Sequence, residues 1–357
     1  MGLQYDTTAF DVSSSTEPSS VLVTGGAGYI GSHAVLALLE AGHRVTVVDT
    51  LVRGHRRAID VLAAHGDVHF VEADCGDRGV VLPLLRERAI DTVLHFAAYC
   101  YVGESVQEPL KYYANNTGSS LRLLMAVADS DVSRFIFSST CSTYGEPGED
   151  RLPIGEDCPQ RPINPYGRSK LLVEQALSGF AARRRAEGRR FACARLRYFN
   201  VAGSDPHCRV GEVHDPETHL VPICLQAAAG LRDSVTVFGT DYGTPDGTCI
   251  RDYVHVTDLV DAHLAAMAAI EPGGDHAWNV GTGRGTSVRE ILDSVRRVTG
   301  VDVPVEQGAR RPGDPPSLYC DPSRIRDDLG WTARHQELDD IVRTAWDWMQ
   351  SHPNGYD

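Results

Sequence analysis

Val21-Leu22-Val23-Thr24-Gly25-Gly26-Ala27-Gly28-Tyr29-Ile30-Gly31 decides how the rest of the chain is read. Its first four residues form a short apolar strand that runs directly into a glycine turn. A helix pattern follows from Ser32 through Leu39 to Ala41-Gly42, then a second strand over 44–48 that ends at Asp49. Glycines at 25, 28 and 31 permit a tight turn and let a pyrophosphate approach backbone N–H groups at a helix N-terminus. Asp49, 18 residues after Gly31, is spaced to accept hydrogen bonds from an adenosine ribose and to repel a 2′-phosphate, which favours NAD over NADP.

The alternation continues outward. Residues 68–71 read as a strand leading to Asp74, and 92–96 as a strand leading to Ala97-Ala98. A long helix is expected within 105–130, and a strand over 135–137 ends in Ser138-Ser139-Thr140. Strands separated by helices imply α/β architecture: a doubly wound parallel sheet of the Rossmann type, with ligands at the strand C-terminal ends. Beyond residue 200 the loops 201–219 and 239–249 are rich in Gly, Pro, Asp and Thr. Helices are expected over 221–230, 287–299 and 338–350, and strands over 235–238 and 278–281. The expected organisation is a tail over 1–19, a cofactor domain over 20–200 to which 250–281 returns, and a smaller α/β substrate lobe from 201–249 and 282–350.

The bulk composition narrows the function. The chain has 357 residues, 42% hydrophobic and 23% charged, as soluble globular proteins do. A formal net charge of −14 argues against a nucleic-acid or anionic-membrane partner. Nine cysteines, an odd number without a C-x-x-C pair, form neither a disulfide framework nor a zinc site and suit a reducing cytoplasm. No metal ligand set is expected, and no apolar run reaches membrane-spanning length.

Asn164-Pro165 precedes Tyr166-Gly167-Arg168-Ser169-Lys170, and proline suits the first turn of a helix. Tyr166 and Lys170 then lie four apart on one helical face. Making a phenol a base at neutral pH means lowering its pKa by about three units, roughly 4 kcal/mol. An ammonium at about 4 Å supplies roughly that at an effective dielectric of about 20. Lysine occurs only at 111 and 170 in this arginine-rich chain, so its retention here singles the pair out.

With these motifs in place, the chain resembles the extended short-chain dehydrogenase/reductases, and among them the UDP-glucose 4-epimerases. The likeness is carried by VLVTGGAGYIGSH (21–33), VGESVQEPLKYY (102–113), NPYGRSK (164–170), RYFNVAGSDP (197–206), DGTCIRDYVHVTDLVDAH (246–263) and RRPGD (310–314). It implies tightly held NAD that is regenerated each cycle. Tyr166 would be a phenolate base held by Lys170 and the nicotinamide charge, with Thr140 on the same sugar hydroxyl. It also implies cofactor contacts at Gly25, Gly28, Tyr29, Ile30, Gly31, Asp49, Asp74, Cys75, Phe96, Ala97, Ala98, Asn115 and Phe199. For the UDP-sugar it implies Asn200, His219, Leu220, Phe238, Arg251, Arg311, Asp314 and Leu318, with Arg251 and Arg311 suited to clamp the diphosphate. A homodimer, with helices around 105–130 and 166–186 paired across a two-fold, is implied too, although those apolar faces could equally be used inside the subunit.

Departures from the pattern bear on the substrate. Cys100 stands where some epimerases carry a lysine near the cofactor phosphates, and His219 where Asn is frequent. Leu318 replaces a Tyr found in enzymes strict for UDP-glucose and UDP-galactose, which leaves room for a 2-acetamido group. The stretches 138–147, 203–212 and 239–253 also resemble UDP-xylose/arabinose 4-epimerases, so hexose, N-acetylhexosamine and pentose substrates stay open. Sugar-nucleotide dehydratases share the Tyr-Lys pair but place Asp-Glu after the strand-end Thr, where this chain has Cys141 and Ser142. A non-catalytic NAD-sensing protein on the same scaffold would commonly lack the Tyr or the Lys, and both are present.

Overall fold

A computed structural model of the chain describes residues 18–311 and 314–356. The tail expected over 1–19 therefore lies, up to residue 17, outside the described residues. The first half of the chain contains β1 (Ser20–Thr24), α1 (Tyr29–Glu40), β2 (Arg44–Asp49), α2 (Arg56–Ala63), β3 (Val68–Glu72), α3 (Arg78–Glu87) and β4 (Thr92–His95). It continues with α4 (Val102–Gln107), α5 (Pro109–Tyr112), α6 (Ser120–Ala128), β5 (Arg134–Thr140), α7 (Pro165–Ala186) and β6 (Ala192–Tyr198). Next come β7 (Asn200–Ala202), α8 (Leu220–Ala228), β8 (Val235–Phe238), β9 (Ile250–Arg251), β10 (Tyr253–His255), α9 (Val256–Ala269) and β11 (Asp275–Val280). The last elements are β12 (Thr286–Ser287), α10 (Val288–Thr299), β13 (Val305–Gly308), β14 (Ser317–Leu318), α11 (Ser323–Leu329) and α12 (Leu338–Ser351).

Among the described residues, seven parallel strands form the central sheet in the order β11-β6-β5-β4-β1-β2-β3. The strand order reverses at β1 and β4, which opens a crevice outside their carboxyl ends. Side chains alternate across the sheet as the period of a strand requires. Val21 and Val23 pack with Val35 and Leu38 of α1 and Leu259 of α9. Leu22 faces the opposite core with Leu123 of α6 and Val173 and Leu177 of α7. The doubly wound sheet read from the sequence is the observed fold.

A second core joins α8, α10 and α12 through Leu225, Ile291, Val295, Ile341 and Val342. Short sheets connect it to the crevice: β12-β9-β14, β8 with β13, and β7 with β10. Residues 256–280 supply α9 and the edge strand β11 to the larger unit. Residues 323–333, assigned from the sequence to the sugar lobe, pack there as well: Ile325, Trp331 and Ala333 join the core of β1 and α1.

Two elements depart from expectation. The helix expected within 105–130 is broken after Gln107 and passes through a π-helical stretch, Tyr113–Ser119, before α6. Strand β6 was not anticipated, because Arg195 and Arg197 interrupt its apolar run. Both arginines are nevertheless buried, each held by a carboxylate: Arg195 by Asp275 at 2.8 Å and Arg197 by Glu174 at 2.7 Å.

Candidate active site

The glycine turn is shaped by close backbone approach. Gly25 has φ +76°, and a Cβ there would lie 2.6 Å from the Ala97 nitrogen. A Cβ on Gly31 would stand 2.0 Å from the Gly25 carbonyl oxygen. Helix α1 starts at Tyr29 after Gly28, with no side-chain cap and no acidic residue in its first turn. Its first N–H groups are free for an anion, so this cradle fits a pyrophosphate. Asp49 closes β2, accepting hydrogen bonds from the N–H of Ala27 at 3.0 Å and of Leu51 at 2.9 Å. Burial raises its pKa, and those N–H groups oppose the rise.

The other expected cofactor residues ring this turn at the strand ends. Asp74, beyond β3, accepts from the Gly76 N–H and the Ser119 hydroxyl and pairs with Arg122 at 3.4 Å. Cys75 beside it is buried, and burial pushes its thiol up to about 12, so it is inert. Phe96 lies 4.8 Å from the His263 ring in a tilted contact, followed by Ala97 and the half-buried Ala98. Ile30 packs against the core. The ring of Tyr29 turns away, its hydroxyl donating to the Gly203 carbonyl at 2.6 Å, which leaves its main chain to face the turn. Asn115 bonds Asn116 within the π-helical stretch. Asn116, which the sequence did not single out, ties Tyr99 (2.8 and 3.0 Å) to the Ser169 hydroxyl of α7 (3.1 Å).

Helix α7 is capped by Asn164, whose side chain accepts from the Gly167 N–H at 2.8 Å, with Pro165 in the first turn. That registration turns both Tyr166 and Lys170 inward, 7% and 3% exposed. Lys170 Nζ donates to the Ser138 carbonyl at 2.8 Å and sits 5.0 Å above the Phe137 ring. Burial lowers its pKa to about 8. Burial also drives Tyr166 well above the usual phenol range, helped by Tyr198 and Cys100, while a hydrogen bond with Thr140 pulls it down. Lys170 is engaged with Ser138, and at the phenol burial outweighs the Thr140 hydrogen bond.

Glu174, one turn beyond Lys170, braces this face. It accepts from Arg197 at 2.7, 3.0 and 3.2 Å, from Gln160 at 3.0 Å and from the Ser139 hydroxyl. Cys141 and Ser142, the positions that would carry a dehydratase acid–base pair, do not act as one. Burial pushes Cys141 up to about 12, and the Ser142 N–H donates to Thr140 Oγ1 at 3.1 Å.

Across the crevice the expected sugar-nucleotide residues fall into three groups. Phe199 and Leu318 share an apolar cluster with Cys141 and Tyr144, and Asn200 follows at the start of β7. Leu318 is also the β14 partner of Arg251 in β9. Arg251 and Arg311 both converge on Asp314, the latter at 2.8 Å, and the Arg311 guanidinium lies 5.2 Å from the centre of the Phe238 ring. His219 and Leu220 open α8 on the far side. There His219 meets Glu212, His214 and Glu217, whose signal in the sequence is the spacing Glu-x-His-x-x-Glu-x-His at 212–219. Burial disfavours the charged imidazole of His214, yet the two carboxylates outweigh it and push it up to about 10. Cys100 lies beside His219; desolvation raises its thiol, but the imidazole outweighs that and leaves it lowered.

Residues 21–281 match the model of the NAD dependent epimerase/dehydratase family. The chain belongs to that family. A probable UDP-arabinose 4-epimerase of Oryza sativa subsp. japonica is 48% identical over 344 residues, spanning 94% of this chain and 80% of the rice protein. A UDP-glucose 4-epimerase of Lactobacillus helveticus is 47% identical over 338 residues, 94% of this chain and 99% of that protein. The crystal structure of a UDP-glucose 4-epimerase from Stenotrophomonas maltophila with bound NAD and formylated UDP-arabinopyranose is similar with a TM-score of 0.89. It is 41% identical, covering 94% of this chain and 99% of that one. The family resemblance read from the motifs therefore holds for this epimerase/dehydratase family member.

Proposed function

We propose that the chain is an NAD-dependent UDP-sugar 4-epimerase that interconverts UDP-glucose and UDP-galactose. The observation that carries this reading is the placement of Tyr166, Thr140 and Lys170 at the end of β5 and the start of α7, facing the same crevice as the glycine turn. Bound NAD⁺ supplies a hydride acceptor that later returns the hydride, and a positive charge beside the buried phenol. Tyr166 takes the proton of the sugar 4-hydroxyl, and Thr140 holds the same oxygen. The 4-keto sugar turns while Arg251, Arg311 and the α8 start keep its diphosphate in place. Tyr166 then returns the proton on the other face, so the net change is an isomerisation. Acid–base help of this kind is worth about 10²–10⁴-fold.

The likeness to the rice UDP-arabinose 4-epimerase supports a second reading, in which a UDP-pentose is also turned over. Leu318, with Phe199 beside it, supports tolerance of N-acetylated hexoses. Leu110, Leu121, Met125 and Leu172 stay exposed on α5, α6 and α7, an apolar face that suits a homodimer. Among the described residues no helix is long and apolar enough to cross a membrane. The direct test is conversion of UDP-galactose without added NAD and without net change in nicotinamide absorbance. Tyr166→Phe is expected to abolish conversion while NAD stays bound; a variant that still turns over removes Tyr166 from the role of base. A panel of UDP-hexoses, N-acetylhexosamines and pentoses ranks the substrates by kcat/KM.

A further inference from the structure

The Glu212-His214-Glu217-His219 cluster lies at the start of α8, where the proposed reaction holds the diphosphate, and takes no part in the proton transfer itself. Its side-chain ligand atoms all lie within 4.8 Å of one another. His214 Nδ1 is 3.1 Å from Glu212 and 3.5 Å from Glu217, and His219 Nδ1 is 3.1 and 2.9 Å from the same two carboxylates. A tetrahedral ion with bonds of about 2.0–2.2 Å requires ligand atoms about 3.3–3.6 Å apart along each edge. The four nitrogen–oxygen edges, from 2.9 to 3.5 Å, are close to that before any ion is placed.

A hydrogen-bonded ion pair accounts for His219, whose Nδ1 bonds Glu217 Oε1 at 2.9 Å, but not for His214. His214 Nδ1 is buried and makes no hydrogen bond, although two carboxylates stand beside it. Glu212 and Glu217 have side chains only 6% and 4% exposed, so two adjacent negative charges are withdrawn from water. One divalent cation would neutralise both. Glu217 is also braced for the task. Its Oε1 accepts the N–H groups of Thr218 at 2.7 Å and His219 at 2.8 Å, which leaves Oε2 toward His214.

We infer that Glu212, His214, Glu217 and His219 form a tetrahedral binding site for a borderline divalent cation of the Zn²⁺ class. Two imidazoles with two carboxylates suit Zn²⁺ better than Mg²⁺ or Ca²⁺, which prefer oxygen-only shells. The rings of Tyr29 and Tyr101 wall the site, 6.3 and 6.0 Å from the His214 ring. A bound ion would therefore fasten the 212–219 loop onto the start of α8, beside Tyr29 of the glycine-turn helix. Its role is to position the crevice, and the ion does not touch the reacting sugar carbon.

The test uses tag-free, NAD-loaded protein, stripped with chelator and titrated with ZnCl₂. Elemental analysis after gel filtration should find one zinc per chain, and Tm should rise by several degrees, with no rise for MgCl₂. Glu217→Gln and His214→Ala should each lose the retained zinc and the zinc-dependent rise. Because either variant could unfold the loop, wild-type protein is also loaded with Co²⁺, whose intense tetrahedral absorption reports the geometry without a mutation. Zinc retained far below one per chain, a Tm rise that persists in the variants, or a weak octahedral Co²⁺ spectrum would each overturn the site.

Discussion

At the turn after β1 an incoming ligand meets main chain: the free N–H groups of the α1 start, held in a turn that a single methyl on Gly31 would push apart. At the β9/β14 edge it meets side chains: two guanidinium groups sharing one carboxylate, an exposed phenylalanine and the apolar Leu318. The first half is rigid because its receptor is the fold itself. The second is built from groups that can be exchanged without moving a strand of the large sheet. Cofactor choice is thereby tied to the architecture, whereas sugar choice can drift among relatives that keep the same sheet.

Gly31→Ala should produce the largest effect. Its Cβ would overlap the Gly25 carbonyl, which costs at least about 3 kcal/mol. Purified variant should lack NAD and melt well below wild type; an NAD-loaded variant with an unchanged Tm would break the idea that main chain is the receptor. Lys170 probes the seam between the halves. Its pKa is depressed by burial, from 10.5 to about 8, which corresponds to about 3 kcal/mol. The unfolded chain binds the proton more tightly, so this cost is complete below about pH 8 and fades as pH rises toward 10.5. At equal NAD occupancy, the Tm of Lys170→Met relative to wild type should be highest near neutrality and fall through that window. A difference that stays flat across the window counts against the burial argument.

On the sugar side the effects should be smaller and confined to substrate. Arg251→Ala is expected to cost about 2 kcal/mol, a rise of about 30-fold in KM for the UDP-sugar, with NAD content untouched. Loss of NAD in that variant would mean the two halves are not separable. Leu318→Tyr should lower kcat/KM for N-acetylated sugars about tenfold relative to UDP-glucose, because pocket-filling discriminates by only about 1–3 kcal/mol. An unchanged ratio would place the acetamido group elsewhere.

The same contrast explains which residues could be read from the sequence. Gly25, Gly28, Gly31 and Asp49 are close together in the chain, and each answers a backbone or ribose requirement, so spacing alone reveals them. Tyr166 and Lys170 share a helix face, and Asn164-Pro165 set its start. Strand β6 stayed hidden because Arg195 and Arg197 read as surface residues, and their burial is explained only by Asp275 and Glu174, far off in the sequence. Asp314 and Arg251 lie 63 residues apart and meet only once β9 and β14 have paired. The Glu/His cluster had a regular spacing in view, but its loop position gave no hint that the four side chains turn inward together.

The scarcity of lysine has a practical side. The chain has two ε-amino groups. Lys111 is held at the surface by Glu104 at 2.7 Å, which raises its pKa, whereas Lys170 lies in the crevice with its pKa lowered to about 8. Lys170 is only 3% exposed, so an acylating reagent has to enter the crevice to reach this amine, whereas Lys111 is about a third exposed. Peptide mapping of the two positions then becomes an occupancy gauge for the crevice, with protection at Lys170 scored against Lys111 as the internal reference.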